Sequence, residues 1–480
     1  MKLLALTAAL VLAGCSSVAP VYQKPEAPTP AAFKESLPAD VAGTWKIAEP
    51  SEATARGRWW AIFGDARLDA LEDEAAQANQ SLKAGLARLA QARAVARASE
   101  ADRVPRVDAG AGATRARPSP ASQGLAPDAA TSAQTLWRAQ ASASYEVDLF
   151  GRVANAVAAA QADAEQSQAL QRSLLLAIQA DVAQTYFAIR ALDAEIALLD
   201  ETVKLREDAL NLVTRREKAG EISELDTARA RTELSVTRAE GIGLAKRRAE
   251  LEHALAVLLG KAPSELAVAR APLAFEPIAI PAGLPSALLE RRPDIAAAER
   301  AMAAANARIG VARAAKFPSL TLTGALGFES AEIGDLFRWS SRSWLLGPLA
   351  GTALSLPIFD GGRNRALEAG AAARYDEAVA DYRQSVLLAF QEVEDGLSGL
   401  RILSQQAEQQ AQSIASARRA AALSTTRYRA GYVNYLEVID AERSVLGTQR
   451  AATQIERERA LATVALIRAL GGGWPARGAE

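Results

Sequence analysis

The sequence has one cysteine and one histidine in 480 residues. Most zinc centres, every disulfide framework within the chain and most histidine-based active sites are therefore excluded. Aromatic residues make up only 5% of a chain that is 50% hydrophobic, so alanine and short aliphatic residues supply most of the apolar surface. This composition favours long helices packed at close distance.

An excess of charge of either sign is also missing. Lys+Arg 55 and Asp+Glu 56 leave a net charge of -1, so the chain has no overall basic field to hold nucleic acid. The sequence lacks a Gly-x-Ser-x-Gly motif, a P-loop and paired histidines, and its one histidine, His253, lies in a charged helical segment. We expect no enzyme activity, no metal and no cofactor beyond a covalent lipid.

The N-terminus has the pattern of an export signal. Lys2 precedes an apolar run of about eleven residues, which is too short to span a bilayer. The run ends in Leu-Ala-Gly-Cys, which resembles a lipobox, so we predict a signal peptide over 1–14 and a lipid on Cys15. Ser16 follows where a retained inner-membrane lipoprotein commonly has Asp, which implies the outer membrane. The alternative is that Cys15 is only a small residue in a cleaved signal.

The mature chain is predicted to begin with an extended strap over 15–64, because its prolines exclude a helix. The remainder is a tandem duplication. Residues separated by 211 positions match over about fifty residues, among them Leu176 with Leu387, Gly220 with Gly431 and Leu225 with Leu436. We therefore place a first repeat at 65–272, a linker at 273–285, a second repeat at 286–471 and a C-terminal tail at 472–480.

Each repeat contains a long helix. The segment 155–218 has no proline, and apolar residues recur every seven positions, as in Val182, Ile189 and Ile196. This spacing predicts a coiled-coil seam. The matching segment 364–429 has a smaller and more polar seam, so the two hairpins are expected to pack differently. An ordinary amphipathic helix against a core is the alternative.

Alternating segments precede these helices. From Trp137 to Leu149 apolar and polar residues alternate, and the segment from Leu320 to Phe328 does the same, which predicts half-buried strands long enough to cross a membrane. An edge sheet in a soluble domain is the alternative. Four strands cannot close a membrane barrel and open edges are not tolerated in lipid, so we expect three chains to pool twelve strands around a wet channel.

Four segments carry a family resemblance. They are the lipobox, the strand-to-helix junctions 148–152 and 356–363, and the segment 428–443. Together they resemble the TolC family of outer-membrane factors, and more narrowly its OprM- and NodT-like lipoprotein branch. The resemblance implies an α+β membrane protein, a homotrimeric channel-tunnel in which four strands per chain form a twelve-stranded barrel continuous with a coiled-coil α-helical barrel.

The resemblance also implies a function. Such channels dock on a periplasmic adaptor and an inner-membrane pump, and drugs or other toxic small molecules leave through them. Two alternatives remain: a pore-less lipid-anchored adaptor or scaffold, and an outer-membrane duct for type I protein secretion. The segment 291–294, Arg-Arg-Pro-Asp, resembles a short family motif whose expected role is to order the start of a helix.

The resemblance implies a periplasmic gate. Leu436, Asp440 and Arg443 match positions that form the constriction in the lipoprotein branch, and their spacing allows one helical stripe. The tip positions that match residues taking part in closure in TolC-like proteins are Tyr428, Asp226 and Glu437. Val433 and Glu437 depart from the TolC pattern. The competing interpretation is that Leu436 packs in a seam while Asp440 and Arg443 pair in solvent.

The segments around Gly220 and Gly431 are predicted to be tight turns between long helices, since glycine readily adopts positive φ at a helix C-terminus. We expect these turns to mark the hairpin tips farthest from the barrel. Gly220, Ser223, Leu225 and Gly431 are predicted to contact the adaptor there. The alternative is that the turns are only connectors.

Overall fold

The computed structural model describes residues 18–26, 30, 32–35, 57–273, 275, 291–346 and 354–472. The predicted signal peptide, Cys15, most of the linker 273–285 and the tail beyond residue 472 lie outside the described residues. The long helices, here labelled in chain order, are α1 (Ala66–Ala78), α2 (Gln80–Ala101), α3 (Arg152–Lys218), α4 (Glu224–Leu258), α5 (Pro293–Ala314), α6 (Arg363–Arg429) and α7 (Tyr435–Ala469). The strands are β1 (Arg106–Ala116), β2 (Gln134–Val147), β3 (Ser319–Ser330), β4 (Arg342–Leu346) and β5 (Leu354–Ser355).

The described residues divide into two compact units. The first, which we call the sheet unit, draws on 18–26, 88–168 and 297–382 and contains all five strands. The second, the hairpin unit, draws on the described parts of 27–87, 169–296 and 383–472. It contains the turns between α3 and α4 and between α6 and α7.

The sheet is antiparallel in the order β1-β2-β3-β4, and β5 also pairs with β3. The pairs Leu326 with Trp344 and Leu320 with Leu354 lie along the same edge of β3. The five described strand segments therefore occupy four positions across the sheet, as the sequence predicts.

Opposite residues of neighbouring strands share a face, so the register shows what each face carries. Ala139 lies opposite both Ala111 and Phe328, and Tyr145 lies opposite Leu322. One face is therefore apolar, and the other carries Arg138, Gln140, Ser142, Ser144, Glu146, Thr321 and Thr323. This two-sided pattern is the one predicted for strands with lipid on one side and water on the other.

The two strand-to-helix junctions are helix N-terminal caps. Asp148 accepts hydrogen bonds from the backbone N–H groups of Val153 (3.1 Å) and Ala154 (2.7 Å) at the start of α3. Asp360 accepts from those of Gly362 (2.9 Å) and Asn364 (2.8 Å) at the start of α6. Both aspartates satisfy N–H groups that have no partner within their helix, which explains why the repeats share an Asp at this point.

The predicted long helices are confirmed with small shifts of their starts. The helix expected over 155–218 begins at Arg152, and the one expected from 364 begins at Arg363. Val182, Ile189 and Ile196 of the α3 seam are buried. In α6, a Cβ on Gly396 would lie 3.1 Å from Leu466 of α7, so this pair of helices approaches closely where the predicted seam is small.

The helical segment before β1 consists of two helices, α1 and α2. It is divided at Asn79, whose Oδ1 accepts from the N–H of Leu82 (3.0 Å) and whose Nδ2 donates to the carbonyl of Leu258 (2.7 Å). An asparagine side chain can cap the second helix while it anchors the break to α4. In the second repeat α5 has the same 22-residue length as α2, and Arg292, which immediately precedes it, is likewise not helical.

The motif at 291–294 has the structural role predicted for it. Arg292 is buried and contacts Asp294 (2.6 Å), Glu392 (2.6 Å) and the carbonyl of Ala469 (2.9 Å). It therefore ties the start of α5 to α6 and to the end of α7. Among the described residues, no helix is both long and apolar enough to cross a bilayer.

Candidate functional site

The two hairpin turns have the same backbone geometry. Gly220 (φ 78°) donates its N–H to the carbonyl of Glu217 (2.8 Å), and the next N–H reaches Arg216 (2.9 Å). Gly431 (φ 80°) and the residue after it bond to Tyr428 (3.0 Å) and Arg427 (2.9 Å) in the same pattern. This is the Schellman ending, in which a left-handed residue satisfies the last carbonyls of a helix. The predicted turns at both glycines are confirmed.

The helices that leave the turns are capped by side chains. Ser223 Oγ accepts from the N–H of Leu225 (3.2 Å) at the start of α4, and Asn434 Oδ1 accepts from the N–H of Glu437 (3.2 Å) at the start of α7. Ser223, predicted as a docking residue, thus fixes where α4 begins. The Leu225 side chain is 54% exposed and is available to a partner at the tip.

A small apolar cluster joins the two tips. This tip core consists of Val213, Ala230, Tyr428, Tyr435, Val438 and Ile439. The rings of Tyr428 and Tyr435 lie 5.4 Å apart, and the Arg216 guanidinium lies 5.2 Å from the Tyr428 ring. Because Tyr428, near the end of α6, is only 8% exposed, it packs between the hairpins of a single chain.

Three predicted gate residues of α7 share an exposed side of that helix. Leu436 is 36% exposed, and Asp440 and Arg443 are exposed one helical turn apart, with 3.4 Å between Arg443 Nη1 and Asp440 Oδ1. We call Leu436, Asp440 and Arg443 the tip stripe. Glu437 is also exposed, whereas Asp226 is half-buried and lies 3.6 Å from Arg229 on α4.

A buried glutamate on α4 anchors the tip stripe to the first hairpin. Glu233 forms an ion pair with Arg443 of α7 and a second one, at 3.2 Å, with Arg206 of α3. Arg206 is itself buried, and it donates to the Glu233 carbonyl (2.8 Å) and to Thr237. Sequence reasoning did not single out Glu233. The sequence pattern that could have identified Glu233 is a carboxylate among the regularly spaced buried residues of α4, between Ala230 and Thr237.

A second arginine of α7 makes a parallel contact further from the turn. Arg450 lies seven residues beyond Arg443 and so on the same side of the helix. Its Nε lies 2.7 Å from Glu195 of α3, and its Nη1 lies 2.9 Å from Glu240 of α4. Two successive arginines therefore hold α7 to both helices of the first hairpin.

A groove of about 450 Å³ lies beside the tip core. Its apolar wall includes Leu205, Leu212 and Leu446, and its polar groups include Tyr435 and Glu442. Burial raises the pKa of the Glu442 carboxyl, nearby Arg206 lowers it, and Glu233 raises it. Burial likewise raises the pKa of Tyr435 to about 12, so its phenol is neutral at physiological pH.

Nothing in the described part of the chain groups three or more His, Cys, Asp or Glu side chains in a way that could hold a metal ion. His253 is exposed on α4. The site therefore presents an exposed apolar side chain, Leu436, an exposed carboxylate, Asp440, and arginines that hold one hairpin against the other.

Comparison with known proteins places this geometry in context. The family model described as outer membrane efflux protein matches residues 71–261 and 284–472, which correspond to the two repeats. The outer membrane protein OprJ of Pseudomonas aeruginosa is 38% identical over 476 residues, covering 98% of this chain and 95% of OprJ. The probable outer membrane lipoprotein SilC of Salmonella typhimurium is 34% identical over 484 residues, covering 99% of each chain.

A solved structure extends the likeness to the fold. The open state of the MtrE outer membrane channel of Neisseria gonorrhoeae matches 95% of this chain and 98% of its own, with a TM-score of 0.80 and 30% sequence identity. The likeness therefore spans strands, long helices and both hairpins.

Proposed function

The chain belongs to the outer membrane efflux protein family. From this we propose that three copies form the exit duct of a tripartite efflux system. Small toxic molecules would pass through this duct from a pump and adaptor to the exterior. The family places the protein in the outer membrane as a channel component of efflux. Our proposal adds five features to this: the trimer, the lipid anchor, the adaptor contacts, the cargo and the gate.

The open sheet supports the trimer. The described sheet ends in β1 on one side and in β4 and β5 on the other, and unpaired strand edges are not tolerated in hydrocarbon. Pairing β4 of one copy with β1 of the next satisfies both edges and gives twelve strand positions. The apolar face then meets lipid, and the polar face lines the channel.

The N-terminal pattern supports a lipid anchor on Cys15, and a relative of similar length is named as a probable lipoprotein. The described part of the strap supports an extended course: residues 18–26 form no helix, and Asn306 donates to the carbonyl of Pro20 (3.0 Å). Mass spectrometry of the mature N-terminus tests the anchor. An unmodified Cys15 would remove it from the proposal.

The hairpin tips are the proposed adaptor contacts. Leu225 and Tyr432 present exposed apolar surface directly beside the two turns, and such residues are common anchors in protein interfaces. The rigid Schellman turns at Gly220 and Gly431 hold this surface in a fixed arrangement. A Leu225→Asp variant is expected to lose adaptor binding while the trimer stays intact.

The tip stripe carries the gate proposal. Leu436, Asp440 and Arg443 are exposed in the single chain, although Glu233 holds Arg443 firmly. Under threefold symmetry each becomes a ring. Three Asp440 carboxylates around one axis attract cations and repel anions, and an apolar Leu436 ring impedes water at the constriction. The Arg443 to Glu233 pair restrains α7 in the closed position.

Single-channel conductance in a planar bilayer tests the gate. The double variant Leu436→Ala, Asp440→Ala is expected to raise open probability and small-molecule leakage, and Asp440→Asn alone is expected to reduce cation preference at low salt. Leu225→Ala is the matched control, because Leu225 is the equivalent residue 211 positions earlier. Unchanged conductance in a correctly assembled double variant would assign the stripe to packing and place the gate elsewhere.

A further inference from the structure

The charged residues of the described strands are distributed unequally between the two faces of the sheet. Five of them lie on the polar face, namely Arg106, Asp108, Arg138, Glu146 and Glu329. The apolar face carries only Arg115 and Arg342. No strand carboxylate shares that face with them.

The polar-face carboxylates are all neutralised by arginine. Asp108 pairs with Arg106 (2.9 Å), Glu329 with Arg138 (2.8 Å), and Glu146 with Arg152 (2.6 Å). Arg115 and Arg342 form no ion pair with any described residue. A charge on a lipid-facing surface is costly unless it reaches an interface or a counter-charge, so an anionic group at the membrane interface would stabilise both positions.

Both arginines lie at the same end of the sheet. Arg115 is the second-last residue of β1, and Arg342 is the first residue of β4. This end carries the β1–β2 and β3–β4 connections, whereas α3 leaves β2 at the opposite end. In the proposed duct the helices lie on the periplasmic side, so the two arginines are at the outward-facing end of the barrel.

Their surroundings fit an amphipathic lipid. The Arg342 guanidinium stacks on the ring of Trp339, which is 79% exposed, and Trp344 on the same strand is 73% exposed. Exposed tryptophans favour the boundary between headgroups and acyl chains. Arg342 Nε donates to the carbonyl of Trp339 (3.4 Å), and its Nη groups remain available to phosphate.

The strand order brings the two arginines to one seam. They lie on opposite edges of the sheet, β1 and β4, so closure of the proposed trimer sets β4 of one copy beside β1 of the next. Arg342 of one copy and Arg115 of a second copy then flank the same seam on the lipid side. Two cationic groups along one seam suit an anion with more than one phosphate better than a lipid with a single phosphate.

We propose that Arg115 and Arg342 form a binding site for the phosphates of a multiply phosphorylated glycolipid in the outer leaflet, at each of the three seams between copies. The proposal rests on the trimeric function above, because one chain supplies only half of each site. Arginine is suited to this role because its planar donor fork matches phosphate oxygens.

Native mass spectrometry of the purified trimer in mild detergent tests the site. The probes are a bis-phosphorylated hexa-acyl glycolipid, the same glycolipid after enzymatic removal of its phosphates, and phosphatidylglycerol. We expect the phosphorylated glycolipid to bind at least about tenfold more tightly than the dephosphorylated form, and Arg115→Gln with Arg342→Gln to abolish that difference.

The matched control is Arg106→Gln with Arg138→Gln, which removes the same number of charges from the polar face and is expected to leave glycolipid binding unchanged. Equal binding by wild type and the apolar-face variant would overturn the proposal, as would equal loss in the control. Phosphatidylglycerol binding that is as tight and as sensitive to Arg115 and Arg342 would overturn the commitment to a glycolipid. If the Gln variant does not assemble, the wild-type trimer alone tests the proposal: equal affinity for the phosphorylated and dephosphorylated glycolipid would overturn it.

The trimer mass and an efflux complementation assay separate this inference from the proposed function. Normal trimers and normal efflux without a phosphate preference would overturn only the glycolipid site. A monomer that cannot restore efflux would instead overturn the duct itself.

Discussion

The two hairpins of the duplicated chain share a backbone, but three glutamates of the first tip correspond to three tyrosines of the second. With the offset of 211 positions, Gly220 corresponds to Gly431 and Leu225 to Leu436, while Glu217 and Glu224 correspond to Tyr428 and Tyr435. The first tip is thus charged and locally ion-paired, as in Arg216 with Glu221 at 2.9 Å. The second tip is aromatic, and two of its rings, Tyr428 and Tyr435, are buried in the tip core.

This asymmetry creates the contact between the hairpins. Two charged tips would have no apolar surface to bury, and two aromatic tips would expose large rings to water. One tip of each kind lets Tyr428 and Tyr435 pack on Val213 and Ala230. The buried Glu233 of the first hairpin at the same time receives Arg443 of the second. Divergence after duplication thus gave the two tips different and complementary surfaces.

Removing a ring from the second tip is expected to have the largest effect. Tyr435→Ala deletes a buried aromatic side chain and is expected to destabilise the tip by about 4 kcal/mol. The free energy of local opening, measured by hydrogen exchange of α7 amides, checks this value. Glu224→Ala changes the exposed equivalent in the first tip and is expected to cost less than about 0.5 kcal/mol. Equal effects at both positions would contradict the asymmetry.

Neutralising the carboxylate of the first hairpin is expected to rank second. Glu233→Gln leaves the buried Arg206 without its counter-charge and releases Arg443, at a cost of about 3 kcal/mol in tip stability. Increased exchange should appear in both α4 and α7, together with a higher open probability of the channel. The control is Ser444→Ala, because Ser444 is the exposed equivalent in the second hairpin. An unchanged open probability would mean that Arg443 is not a restraint.

The shared backbone predicts equal effects at the two turns. A Cβ added at Gly220 or Gly431 would meet nothing within 4 Å, so an alanine there would cost only the strain of the left-handed conformation, about 1 to 2 kcal/mol. Thermal unfolding of Gly220→Ala and Gly431→Ala should therefore give similar losses. A difference above about 1 kcal/mol would show that one turn is held by contacts that the other lacks.

The sequence predicts the features that depend on local pattern. The seven-residue spacing of Val182, Ile189 and Ile196 is enough to define α3, and glycine after a long helix is enough to define both turns. Strand alternation gives the two faces of the sheet correctly, because side-chain direction in a strand depends only on residue parity. Arg292 has the ion pairs expected of it.

Features that depend on distant partners could not be read in this way. Glu233 meets Arg443, 210 residues later, and a heptad position shows burial without naming the partner. The division at Asn79 also escaped prediction, because its anchor is a carbonyl of α4 far along the chain. Tyr428 was grouped with the gate by resemblance, whereas in the single chain it belongs to the tip core.

The smallest expected effect is a pH dependence confined to the second hairpin. Burial raises the pKa of Glu442 above its ordinary value of about 4.3, so the folded tip binds the proton more tightly than the unfolded chain does. Stability contributed by protonated Glu442 is therefore present below the unfolded pKa and is lost as the pH rises through the folded value. The equivalent residue of the first hairpin is Arg231, which is not a carboxylic acid, so the prediction concerns the second hairpin alone.

Comparing wild type with Glu442→Gln at each pH isolates this contribution, because the other carboxylates of the tip are present in both proteins. Protection factors of α7 amides, corrected for intrinsic exchange, should show wild type losing stability relative to the variant as the pH rises from about 4.3. A constant difference across the range would mean that Glu442 titrates normally, and its position in the groove would then have to be more solvated than the structure shows.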